Sequence, residues 1–119
     1  MANALIYHNP RCSKSRETLA LLREAGVEPT IVEYLSDPPS AKRLRELIKA
    51  AGIGVRDALR TDGPLYLELG LADPALSDKA LIDAMVRNPS LIQRPFVVTD
   101  AGVRLCRPPE VVREILARD

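Results

Sequence analysis

"ALIYHNPRCSKSRETLALLREAGVEPTIVEYL" (residues 4–35) decides the fold. Its first four residues, "ALIY", form a short apolar run of the kind found in a buried strand. After the turn at Pro10, Thr18, Leu19, Leu22 and Ala25 recur at helical spacing, and Gly26 supplies the stop. "TIVEYL" (30–35) is rich in β-branched residues and predicts a second strand. A strand, a helix and a strand in this order form a β-α-β unit, whose two strands run parallel through a right-handed crossover.

Downstream, "DPPSAKRLRELIKAAG" offers Ser40 as an N-cap, with Leu44, Leu47, Ile48 and Ala51 on one helical face and Gly52 as the stop. Residues 53–90 read as further helical pieces. These are "VRDALR" ending at Arg60, a weak turn at "PLYLELG", and "SDKALIDAMVRNP", capped by Ser77 with Leu81, Ile82, Met85 and Val86 as its stripe. "PFVVTDAGVRLCRPPEVVREIL" then predicts a strand (Phe96 to Thr99), the turn "DAG" and a strand (Val103 to Cys106). A last helix starts at the Pro-Pro pair, with Val112, Ile115 and Leu116 inward. The order is β-α-β, a helical insert, then β-β-α. It fits a thioredoxin-like α/β fold with a four-stranded mixed sheet, here as a single domain over residues 1–119.

The same opening stretch carries the chemistry. Cys12 lies in a polar, proline-containing turn at the mouth of the first helix, among Arg11, Lys14 and Arg16. Unpaired N–H groups and the helix dipole favour a thiolate at such a place. An ordinary thiol, with a pKa near ~8.5, is only a few per cent ionised at neutral pH. Ser15, one turn on, is placed to donate a hydrogen bond to the sulfur. Cys12 therefore reads as reactive, and Cys106, at the end of an alternating strand, reads as structural.

His8 follows the first strand and is read as a support for the loop ahead of a proton-transfer role. Arg94 precedes Pro95 before the third strand, Arg107 precedes Pro108, and Arg60 ends its helical piece. Each offers a planar fork of donors suited to a tetrahedral oxyanion, although each taken singly reads first as a surface charge.

Composition narrows the alternatives. Charged residues are 28% of the chain but sum to +1, so no global basic field argues for nucleic acid. No apolar run approaches the roughly 20 residues of a membrane span, and "MANALIYHNP" lacks the pattern of a signal peptide, so a cytoplasmic location is expected. Two cysteines and one histidine give no metal-ligand spacing. Ser15 stands where a C-x-x-C motif needs its second cysteine, so redox work at Cys12 requires an external thiol. Thr18 stands where the phosphatase loop C-x5-R needs its arginine.

Together these residues resemble the glutaredoxin-coupled arsenate reductase (ArsC) family. "IYHNPRCSKSRETLALL", "EPTIVEYL", "GIGVRDALR", "LIQRPFVVT" and "RLCRPPEVV" fall in the family's order and spacing over nearly the whole chain. The chain departs from plasmid-type members in stopping after the final helix and in flanking Cys12 with Arg11 and "SKSR", a form shared with short chromosomal relatives.

The resemblance implies that Cys12 is the nucleophile, that Arg60, Arg94 and Arg107 bind the oxyanion or stabilise the arsenic-bound intermediate, and that His8 sits beside the catalytic loop. It further implies arsenate as substrate, glutathione as co-substrate and glutaredoxin as partner, with no bound cofactor and with no nucleic acid or membrane involved. Two other readings stay open. One is a general glutathione-dependent thiol oxidoreductase, and the other is a redox-sensing protein-binding module, against which the missing second cysteine counts.

Overall fold

The computed structural model describes residues 4–116. The chain divides into two compact units, one formed by the chain up to Asp37 together with the stretch from Arg94 onward, the other by Pro38–Gln93.

The first unit is built on β1 (Ala4–His8), β2 (Thr30–Glu33), β3 (Phe96–Thr99) and β4 (Gly102–Leu105). They form one sheet in the order β2-β1-β3-β4, with β1 and β2 parallel and the other pairs antiparallel. This is the thioredoxin-like mixed sheet that the sequence predicts. The register sets Tyr7 opposite Phe96, and Phe96 opposite Leu105. The chain leaving β1, the chain entering β3 and the chain leaving β4 therefore meet at one end of the sheet.

Helix α1 (Ser13–Glu24) returns across one face, and Gly26, at φ +82°, makes the left-handed exit that a side chain would resist. Leu19 and Leu22 of α1 pack with Ile6, Val97, Cys106, Val112 and Ile115 in one buried cluster. Full burial of a side chain such as Leu22 is worth about 2 kcal/mol.

The last helix differs from expectation. Pro109–Ile115 is a 3₁₀ helix rather than an α-helix, and its buried residues are Pro109, Val112 and Ile115. A strict spacing of three matches the three residues per turn of a 3₁₀ helix, and it leaves Leu116 only half-buried.

In the second unit, α2 (Ala41–Ala50) and α4 (Asp78–Arg87) begin at the expected caps. Ser40 Oγ accepts the Arg43 amide and Ser77 Oγ accepts the Ala80 amide, each at 3.1 Å. Their buried faces are Leu44, Leu47 and Ile48, and Leu81, Ile82 and Met85. Between them lie a 3₁₀ turn at Val55–Ala58 and the short α3 (Pro64–Glu68). Arg56 secures the following loop by donating to the carbonyls of Leu71 and Asp73 at 2.9 and 2.7 Å.

The sequence shows no strand signal here, yet Leu59 and Ile92 form one isolated antiparallel bridge. It is flanked by hydrogen bonds from the Arg60 amide to Leu91 O at 2.7 Å and from the Gln93 amide to Ala58 O at 2.8 Å. Among the described residues, no helix is long and apolar enough to cross a membrane.

Candidate functional site

Cys12 is the N-cap of α1, with extended backbone angles (φ −94°, ψ 122°). Its amide donates to Asn9 O and its carbonyl accepts the Arg16 amide, both at 3.0 Å. The loop before it is an Asx turn, in which Asn9 Oδ1 accepts the Arg11 amide at 3.0 Å. Arg16 Nη1 donates to Pro10 O at 2.9 Å and pins the loop from the helix side. Sequence reasoning passed over Asn9, although an Asn-Pro pair is a recognised turn signal.

Cys12 is only 9% exposed. That burial by itself pushes its thiol pKa up, but the Ser15 amide, the hydrogen bond and charge of Arg94, and the Lys14 amide together bring it below the ordinary thiol value. The sulfur makes no conventional capping hydrogen bond, so the effect is that of donors and charge facing the sulfur at the helix mouth. The first turn of α1 contains no acidic residue to oppose it.

Ser15 reaches Cys12 in a different way from that expected. Its amide favours the thiolate, while its hydroxyl lies 2.5 Å from His8 Nδ1 and accepts the Asn9 amide at 3.0 Å. His8 is buried, and desolvation is the main reason its pKa is lowered, opposed by the nearby Glu33 carboxylate. The neutral imidazole therefore holds the loop through Ser15.

Arg94 is buried, with its Nε and Nη1 making no hydrogen bond within the protein. A buried guanidinium with free donors beside a thiolate-favouring cysteine is matched to an anion. Arg107 is exposed and donates from Nη1 to Arg94 O at 3.0 Å. The β3–β4 hairpin makes this possible, because Arg94 and Arg107 flank its two open ends, and each precedes a proline across a cis peptide bond.

Within the first unit the fold thus brings Cys12, Ser15, His8, Arg94 and Arg107 into one linked set. Arg60 belongs to the second unit, where its Nε donates to Asp62 Oδ1 at 2.6 Å beside a cavity lined by Gly63, Pro64, Leu65, Ser90 and Leu91. Cys106 is fully buried in the core, and burial raises its pKa to about 12. Among the described residues, no group of His, Cys, Asp or Glu is arranged to hold a metal ion.

Comparison with known proteins gives a consistent picture. The profile of the ArsC family matches residues 7–115. The chain is 59% identical over 111 residues to the arsenate reductase of Rhizobium meliloti (strain 1021), covering 93% of this chain and 79% of that protein. It is 56% identical over 112 residues to the uncharacterized protein YfgD of Escherichia coli (strain K12), covering 93% and 94%. The solved structure of an arsenate reductase from Vibrio cholerae superposes with a TM-score of 0.92 at 50% identity, covering 96% of this chain and 98% of that one.

Proposed function

Because the chain belongs to the ArsC family, we propose that it is an arsenate reductase with Cys12 as nucleophile and with glutathione and glutaredoxin as reductants. One observation carries this reading: Arg94 is buried beside Cys12, lowers its pKa, and keeps two buried donors unpaired. An oxyanion satisfies those donors, and a protein disulfide does not.

In the proposed reaction, the Cys12 thiolate attacks arsenic(V). A sulfur–arsenic bond forms and one arsenate oxygen leaves as water, its protons drawn from the protonated oxyanion and solvent. The glutathione thiol attacks the arsenic of the adduct, forming a second sulfur–arsenic bond as a second arsenate oxygen leaves as water. A glutaredoxin thiolate then takes the glutathione sulfur as a mixed disulfide, breaking that sulfur–arsenic bond and leaving its electron pair on arsenic. The glutathione and glutaredoxin sulfurs together give up two electrons to arsenic, and a water molecule then displaces Cys12 from arsenic(III), releasing arsenite and returning Cys12 as a thiolate with the proton passing to solvent. Arg94 neutralises the oxyanion, and Arg107 steadies the Arg94 main chain. Arg60 is assigned to the same anion through the family pattern alone. His8 and Ser15 are positioning residues that fix the loop around Cys12.

The test is NADPH oxidation coupled through glutathione reductase, glutaredoxin and glutathione, with and without arsenate. Arsenate-dependent turnover that falls by about a thousandfold or more in Cys12→Ser is expected. Turnover independent of arsenate in the wild-type protein moves the assignment to a general thiol oxidoreductase.

A further inference from the structure

We propose that a cleft on the β2 side of the Cys12 loop binds a small zwitterionic thiol peptide; under the function proposed above, on which this identification rests, that peptide is glutathione.

The cleft, of about 350 Å³, lies within the first unit and is lined by His8, Asn9, Pro10, Arg11, Glu33, Leu35 and Ser36. That volume is near the lower end of the range of small-ligand sites, about 300 to 1,000 Å³. Its position follows from the parallel register. His8 pairs with Glu33 at the ends of β1 and β2, so their side chains stand on the same face of the sheet, where Glu33 is close enough to act on the His8 imidazole. The wall shared with the Cys12 loop is made by Asn9, whose carbonyl accepts the Cys12 amide, and by Arg11, its neighbour in the chain.

The charges decide the ligand class. Arg11 and Glu33 line one cleft with opposite charges, yet the Arg11 guanidinium and the Glu33 carboxylate make no hydrogen bond or ion pair among the described residues. The Arg11 amide is engaged by Asn9, and the Glu33 carbonyl accepts the Ser36 and Asp37 amides in a tight turn, so both side chains are left to the cleft. A simple oxyanion attracted by Arg11 is repelled by Glu33, and a neutral thiol gains from neither. A molecule carrying both carboxylate and ammonium groups uses both. Leu35, 44% exposed, adds an apolar surface for the methylene groups of such a peptide.

The experiment titrates S-methylglutathione, which cannot react, into the ¹⁵N-labelled protein and follows backbone amide shifts. Shifts concentrated at Asn9, Arg11, Leu35 and Ser36, with affinity about fivefold weaker in Glu33→Gln, are expected from the loss of one exposed charge contact. Shifts elsewhere, or equal affinity in Glu33→Gln, overturn the proposal. In a parallel arm on the wild-type enzyme, S-methylglutathione is expected to inhibit competitively against glutathione. Absence of any glutathione-dependent turnover overturns the proposed function alone, because the shift map reads the cleft directly.

Discussion

The guanidinium of Arg107 holds the main chain of Arg94, donating from Nη1 to the Arg94 carbonyl oxygen at 3.0 Å, while the Arg94 side chain favours the Cys12 thiolate. The two arginines therefore act in series. Arg94→Ala removes both a charge and a donor facing the sulfur, so the Cys12 pKa rises and alkylation by iodoacetamide at neutral pH slows. Under the proposed function, which gives Arg94 a contact with the oxyanion, kcat/KM for arsenate is expected to fall about 10- to 100-fold. Arg107→Ala shifts the alkylation profile in the same direction by a smaller amount, and an equal or larger shift would contradict the serial arrangement.

Ser15 separates stability from reactivity. Its hydroxyl serves His8 and Asn9, and its amide serves Cys12. Ser15→Ala leaves a buried imidazole nitrogen and a loop amide without their partner, at a cost of about 1 to 3 kcal/mol by thermal or urea unfolding. The pH profile of Cys12 alkylation is expected to move little, since the amide persists. A large move would show that the hydroxyl also acts on the sulfur.

The two cysteines give opposite pH linkage. Cys106 binds its proton more tightly in the folded state, with a pKa raised to about 12 from 9.0, so stability falls as pH rises above about 9 and the unfolded thiol ionises first. Cys12, with its folded pKa lowered, adds stability as pH rises through that lowered value toward 9.0. In a Cys12→Ser background Cys106 is the one thiol left to contribute to the alkaline loss, at up to about 1.4 kcal/mol per pH unit. Adding Cys106→Ala should flatten it, and an unchanged slope in denaturant unfolding between pH 9 and 11 would contradict the buried assignment.

The core and cap estimates can be checked by thermal unfolding. Leu22 is fully buried between the sheet and the last 3₁₀ helix, so Leu22→Ala should cost about 2 to 5 kcal/mol. Ser40→Ala, which removes the acceptor for the Arg43 amide, should cost about 1 kcal/mol.

Features set by neighbouring residues were readable in the sequence. The β-α-β unit of residues 4–35, the caps Ser40 and Ser77, and the placement of Cys12 at a helix mouth all follow from local spacing. Features set by register were not. Nothing local in "QRPF" or "LCRP" brings the Arg107 side chain to the Arg94 carbonyl, which requires β3 and β4 to pair as they do. The Ser15 hydroxyl was misdirected because one position on a helix brings both an amide and a side chain near the cap, and only the packing of His8 decides between them. The final helix starts at the Pro-Pro pair and buries Val112 and Ile115 as the sequence predicts, but its type differs, because Val112, Ile115 and Leu116 suit a 3.6-residue period, whereas Pro109, Val112 and Ile115 repeat every three.

The hairpin that brings Arg94 and Arg107 together has its tip, Asp100 and Ala101, at the opposite end of the sheet from them, and both tip residues are exposed. A loop in that position is where added residues are best tolerated. An epitope or a fluorescent peptide grafted between Asp100 and Ala101 would extend the strands away from the Cys12 loop, so the chain offers an attachment point that is separated from Cys12 by the length of the sheet.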